Sequence, residues 1–206
     1  MIYDISPPIT EQLAVWPGDT PPRRQVHCDM RRGDNITLSS LTATVHLGAH
    51  ADAPSHYGLD AKTIDQRQLE LYVGPCQVMH IAPLRHGKII PAMLKGEIKA
   101  ERILIATGTY PDPTHFNEDF AALSPELVEH LHLRGVRLVG IDTPSVDLFE
   151  SKDLPAHHAC LRFDMAILEG LVLCDVPEGT YELIALPLKL VGFDASPVRA
   201  VLRTRV

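Results

Sequence analysis

At 206 residues and a formal charge of −7, the chain is sized for one domain that buries roughly 70% of the surface its unfolded form exposes. Its acidity argues against nucleic acid, whose phosphates require clustered Lys and Arg. With 45% hydrophobic and 22% charged residues it reads as globular, and no apolar run approaches the ~20 residues of a membrane span.

Taken in order, residues 1–5 (Met1-Ile2-Tyr3-Asp4-Ile5) lack a basic stretch followed by an apolar one, so no secretory leader is expected. The loop Trp16-Pro17-Gly18-Asp19-Thr20-Pro21-Pro22 carries the only tryptophan. Trp16 either packs at the core edge or forms an aromatic wall for an aromatic substrate. Short runs rich in β-branched residues predict strands over 25–30, 36–45, 76–81, 102–107, 136–141, 171–174, 182–191 and 198–205. Thr63-Ile64-Asp65-Gln66 has the form of a capping box. Ser124-Pro125 places a cap residue before a proline, opening a helix that runs through Leu127, Val128 and Leu131 and stops near Gly135. Cys28, Cys76, Cys160 and Cys174 lie far apart without a Cys-x-x-Cys pair, which fits reduced thiols and a cytoplasmic protein. The expected fold is α/β: a single domain over residues 1–206 with a mixed β-sheet and flanking helices.

The segment His46-Leu47-Gly48-Ala49-His50-Ala51-Asp52-Ala53-Pro54-Ser55-His56 holds three imidazoles and a carboxylate among small or apolar residues. A solvated face would carry Lys, Glu and Gln instead. All four polar positions are even-numbered, so an extended chain turns them to one side. Pro54 forbids a regular helix through them. A straight strand would nonetheless hold His46 and His50 roughly 13 Å apart at ~3.3 Å per residue, too far for one cation with ligand bonds of ~2 Å. The strand ending near Val45 is therefore expected to curl at Gly48 and fold His46, His50 and Asp52 around a metal.

Imidazole and carboxylate without thiolate suit zinc first, with manganese, iron or cobalt open. Three protein ligands leave room for water, whose acidification by the metal points to hydrolysis. His56 is either a fourth ligand or a general acid/base, and its ordinary pKa near neutrality favours the second role. His27, His80, His86, His115, His130 and His132 have no comparable partners nearby. A second cluster, His157-His158 followed by Glu169, offers a second metal position with Asp52 and Glu169 as bridging carboxylates; spacing does not decide which histidine points inward.

The segment 46–56 resembles the His-x-Gly-Thr-His-x-Asp-x-Pro-x-His signature of the metal-dependent cyclase-like hydrolases. Supporting stretches are Trp16-Pro17-Gly18-Asp19-Thr20-Pro21, Ile141-Asp142-Thr143-Pro144-Ser145-Val146-Asp147 and residues 181–199. The resemblance covers nearly the full length. It implies a swivelling β/β/α (cyclase-like) fold, a homodimer, and a binuclear zinc amidohydrolase that removes formate from N-formyl-L-kynurenine in tryptophan breakdown. By the same resemblance His46, His50 and Asp52 match ligands of the first metal, and His157 and Glu169 match those of the second. Asp52 and Glu169 match the bridging positions, His56 the general acid/base, and Trp16 the substrate-binding aromatic. Ala49 stands where the signature has Thr, so any hydroxyl support of the ligands from that position is absent. Two rivals to this activity are hydrolysis of another aromatic or cyclic amide such as isatin, and a non-enzymatic zinc-stabilised binding protein. Against the latter stand the absent thiolates and the unused coordination positions.

Overall fold

Four parallel strands form the spine of the protein, seen in a computed structural model that describes residues 1–204. In chain order the strands are β1 (Ile2–Asp4), β2 (Arg23–Cys28), β3 (Leu38–Thr42), β4 (His50–Asp52), β5 (Val73–His80), β6 (Lys88–Ile89), β7 (Arg102–Ala106), β8 (Ala122–Leu123), β9 (Leu138–Ile141), β10 (Ala166–Glu169), β11 (Gly179–Ile184), β12 (Ala195–Pro197) and β13 (Val201–Thr204). Two α-helices, α1 (Pro125–His132) and α2 (Pro155–Arg162), accompany them.

Nine strands make one mixed sheet in the order β1-β13-β11-β5-β7-β9-β10-β4-β12. The run β5-β7-β9-β10 is parallel, and every other pairing within this nine-stranded sheet is antiparallel. Strands β7, β9 and β10 are buried along their whole length, as parallel strands covered on both faces must be. The two faces are separated by strict alternation. Leu104, Leu138 and Leu168 join one core with Ile5, Tyr72 and Leu202, while Ile103, Ile105, Val139 and Ile167 join the other with Leu127, Leu131 and Cys160 of the helices. Both helices therefore lie on one side of the sheet.

Seven of the predicted strands correspond to β2, β3, β5, β7, β9, β11 and β13, with shifted ends; Arg205 of the last lies outside the described residues. The predicted strand over 171–174 is corrected: the strand is β10, immediately before it. Gly170, at φ +64°, turns the chain out of the sheet, and Val172 N–H instead donates to the Ile5 carbonyl at 2.9 Å. Helix α1 begins as expected, with the Ser124 hydroxyl accepting Leu127 N–H at 3.1 Å. The capping box at Thr63 is present, closing a single 3-10 turn, Ile64–Gln66. Helix α2 was not anticipated. Among the described residues, no helix is long and apolar enough to cross a membrane.

Candidate metal centre and aromatic cavity

The alternation expected of residues 46–56 is realised in β4. Ala49, Ala51 and Ala53 pack into the core on the sheet face away from the helices, which turns His50 and Asp52 to the helix side. The antiparallel partner β10 aligns His50 with Glu169 and Asp52 with Ile167, so Glu169 emerges on the same side. Helix α2 packs there and contributes His157, which is buried, whereas His158 is exposed.

His46 does not belong to a strand. The strand expected to run to Val45 ends at Thr42, and the chain then bends at Gly48, whose φ is +57°. That bend brings the His46 and His50 rings to a centroid separation of 5.1 Å, which a straight strand would not allow. Gly48 is held in turn by Gly170: a Cβ at residue 170 would stand 2.1 Å from the Gly48 carbonyl oxygen.

The donor atoms converge on Asp52. Its Oδ1 lies 3.1 Å from His46 Nδ1 and 3.4 Å from His50 Nε2, and its Oδ2 lies 3.4 Å from His157 Nε2. Glu169 Oε2 is 3.3 Å from His50 Nε2, and Glu169 Oε1 is 3.5 Å from His157 Nε2. Both oxygens of Asp52 and the Nε2 atoms of His50 and His157 are buried without a hydrogen-bond partner. Unpaired buried polar atoms are costly, and four of them facing one another suit a divalent cation with nitrogen and oxygen ligands. Among the described residues, two sets of three donors each have their ligand atoms within 4.8 Å of one another: His46, Asp52 and His56 form one, and His50, Asp52 and Glu169 the other. Asp52 thus belongs to both groups, and His56 sits close enough to be counted as a donor.

Partners beyond these donors orient the rings. Asp147, fully buried, accepts from His157 Nδ1 at 2.8 Å and from the backbone N–H groups of Ala156 and His157 at 3.0 Å each. It thereby caps α2, which Leu154 cannot do, and fixes the imidazole in one orientation. The Gly48 carbonyl accepts from His50 Nδ1 at 2.9 Å. Glu169 Oε1 accepts Val146 N–H at 2.7 Å. Sequence reasoning gave none of these groups a role, because each acts through a contact made only in the fold. A buried Asp142 accepts from Thr107 and Gly108 and clamps the end of β7 beside the cavity.

When no cation is bound, the centre holds protons. Burial works against the charged form of His50, but the adjacent Asp52 and Glu169 carboxylates outweigh it and push its pKa up to about 10. His157 is likewise pushed up to about 10, with Asp147 and Asp52 prevailing over burial. Asp52 is held well below the usual carboxylate range: burial opposes this, and the close approach of the His157, His46 and His50 rings overcomes it. His56 differs, since burial lowers its pKa. Both raised imidazoles bind protons more tightly folded than unfolded, so the stability they add to metal-free protein is complete below pH 6.5. It is lost as the pH rises towards about 10. Differential scanning fluorimetry should show the melting temperature of chelator-treated protein falling over that interval. Metal-loaded protein, whose ligands carry no such protons, should fall less.

This cluster forms the floor of a cavity of about 710 Å³, whose lining includes Trp16, Tyr110, Phe116, His46, His56 and Asp194. Trp16 is neither solvated nor fully buried. It stands 5.1 Å from Phe149 and 5.5 Å from Phe116, centroid to centroid, and Phe116 in turn meets Tyr110 edge-on at 5.9 Å. The arrangement joins an aromatic wall to a polar floor rich in candidate metal donors, which suits an aryl compound carrying a reactive polar group.

Known proteins resemble this chain in sequence and fold. The Cyclase family model matches residues 3–148. The chain is 46% identical over 207 residues to the kynurenine formamidase of Bordetella avium (strain 197N), covering 98% of this chain and 97% of that protein. Among solved structures it is similar to a potential metal-dependent hydrolase with cyclase activity, at 31% identity and a TM-score of 0.83 over 98% of this chain and 96% of that one. Isatin hydrolase A from Labrenzia aggregata, bound to benzyl benzoate, shares the fold at 22% identity and a TM-score of 0.83, covering 100% of this chain and 94% of that one.

Proposed function

Since this chain belongs to the Cyclase family of metal-dependent hydrolases, we propose that it is an arylformamidase that cleaves N-formyl-L-kynurenine to L-kynurenine and formate. What carries this proposal is the unpaired donor set at the floor of an aromatic-walled cavity, in a chain nearly half identical to a kynurenine formamidase over almost its full length.

His46, His50, Asp52, His157 and Glu169 would hold two zinc ions, manganese being an alternative. Bound there, the ions supply Lewis acidity for the formyl oxygen and acidify water towards neutrality. The chain's own residues do the rest. Trp16 stacks on the aryl ring and holds the formamide over the floor. His56 lies between solvent and the donor cluster, its side chain 36% exposed, and moves the proton that the departing aniline nitrogen requires. Asp147 and the Gly48 carbonyl keep the imidazoles from turning while this happens. The proposed assembly is a homodimer in the cytoplasm, and light scattering on the purified chain reads its mass.

The direct test follows N-formylkynurenine hydrolysis by ultraviolet absorbance, with metal analysis on the same sample and isatin as the competing substrate. Preferential turnover of N-formylkynurenine, abolished by chelation while the circular dichroism stays native, is the expected result. Faster turnover of isatin would replace the proposed substrate, and unfolding on chelation with no prior activity would make the metals purely structural.

His56→Ala should lower kcat by about 10²- to 10⁴-fold, the range for a lost general acid/base, with zinc content unchanged. Zinc lost in step with turnover would make His56 a ligand instead. Trp16→Ala should raise KM by about 3- to 10-fold, on the scale of one aromatic contact, and an unchanged KM in steady-state kinetics would remove Trp16 from the pocket.

A further inference from the structure

Each of the three histidines around Asp52 turns one ring nitrogen inward and has the other held from outside. For His50 the outer partner is the Gly48 carbonyl and for His157 it is Asp147. His46 presents Nδ1 to Asp52 at 3.1 Å, and its Nε2 lies 3.0 Å from Oδ2 of Asp194. A carboxylate can only accept, so once a cation occupies the Nδ1 side of His46 the ring's remaining proton sits on Nε2, where Asp194 receives it.

Asp194 differs from the other two partners because it serves two rings. The same Oδ2 lies 3.6 Å from His56 Nδ1, and the His46 and His56 rings are 4.2 Å apart between centroids. The backbone that carries Asp194 is tied to the centre: its carbonyl accepts Ala53 N–H at 2.8 Å, and the next residue, Ala195, pairs with Asp52 across β12 and β4. Its position is therefore fixed by the strand that presents Asp52.

We propose that Asp194 is a positioning residue for both halves of the reaction: it fixes the tautomer and orientation of His46 for metal binding, and it anchors the neighbouring His56 ring for proton transfer. The metal-binding half concerns residues of this chain alone. The catalytic half rests on the proposed hydrolysis.

Zinc affinity, read by competition with a chromophoric chelator, and steady-state kinetics on N-formylkynurenine are measured for the full-length wild type, Asp194→Ala and Asp194→Asn. Asp194→Ala should bind zinc about 10- to 100-fold more weakly, the usual cost of losing a ligand's outer partner. At saturating zinc it should lose kcat with KM little changed. Asp194→Asn keeps an acceptor oxygen for His46 and should restore zinc affinity to within about 3-fold of wild type, while kcat stays depressed because the charge beside His56 is gone. Wild-type affinity in Asp194→Ala, or an Asn variant no better than Ala, overturns the role at His46. Wild-type kcat in both variants overturns the role at His56. A wild type that binds zinc and does not cleave N-formylkynurenine would remove the proposed activity and leave the affinity series intact as a test of Asp194.

Discussion

Replacing Asp52 with asparagine is expected to strip the centre of metal and end hydrolysis while the chain still folds. The substitution keeps size and shape, so the alanine-lined back of β4 remains packed. What changes is the charge at the only residue shared by both donor groups. Three imidazole nitrogens now face Asp52 between 3.1 and 3.4 Å away, and an amide offers them one acceptor oxygen and one NH2 group in place of two acceptors. The amide nitrogen points a donor into the space a cation would occupy. Metal affinity should fall by more than the roughly 10- to 100-fold that follows loss of a mere outer partner. Turnover should fall by at least about 10²- to 10³-fold, the scale of one lost charge-stabilising group in acyl transfer. Zinc content by mass spectrometry and kcat on the same sample check both, with circular dichroism confirming the fold. An Asn variant retaining full zinc and wild-type kcat would remove Asp52 from the centre.

Gly170→Ala should be severely damaging, since an added Cβ there makes a closer contact than at any other glycine. Residue 170 sits at φ +64°, where a side chain costs about 1–2 kcal/mol. The added Cβ would also meet the Gly48 carbonyl oxygen at 2.1 Å and its carbon at 2.8 Å. Backbone cannot swing aside as a lysine tip can, and this carbonyl already holds His50 Nδ1. Overpacking of this kind adds about 1–3 kcal/mol, so the expected loss is about 2–5 kcal/mol. For a domain of this size that lowers Tm by about 4–20 °C. Metal should be lost as well, since relieving the clash moves the support of His50. Gly192 supplies the control: its φ is +80° and nothing lies within 4 Å of an added Cβ, so Gly192→Ala should cost only the backbone share and leave zinc in place. Thermal melts and metal analysis on the two variants compare them, and equal losses would show that the contact with Gly48 does not matter.

Much of the centre was legible because its signal is local. Even-numbered polar residues separated by alanines specify which way a strand faces, and β4 obeys that pattern. The bend at Gly48 followed from the reach of the chain. Strand β10 was missed because its four residues lie beside the apolar run 171–174, and only contact with Gly48 reveals why Gly170 must end the strand. Helix α2 was missed because its start has no capping side chain of its own, Leu154 being left-handed at φ 42°; the cap is Asp147, from a preceding loop. Spacing alone left His157 and His158 undecided and the resemblance picked His157; the placement of α2 buries that residue and exposes His158. Asp194 carried no signal at all, because nothing near it in the chain names His46 as its partner.

His46 and Asp194 are 148 residues apart in the chain, and β4 is paired on both sides by strands from the C-terminal third. During synthesis at about 5–20 residues per second, roughly 7–30 s separate the emergence of the first histidine from that of the carboxylate that steadies it. Through that interval the 46–56 segment has imidazoles but no pocket, so a nascent chain cannot assemble its centre in stages. A metal held by these donors would be captured late, once residues 166–197 have emerged, and a product truncated before them is expected to retain none.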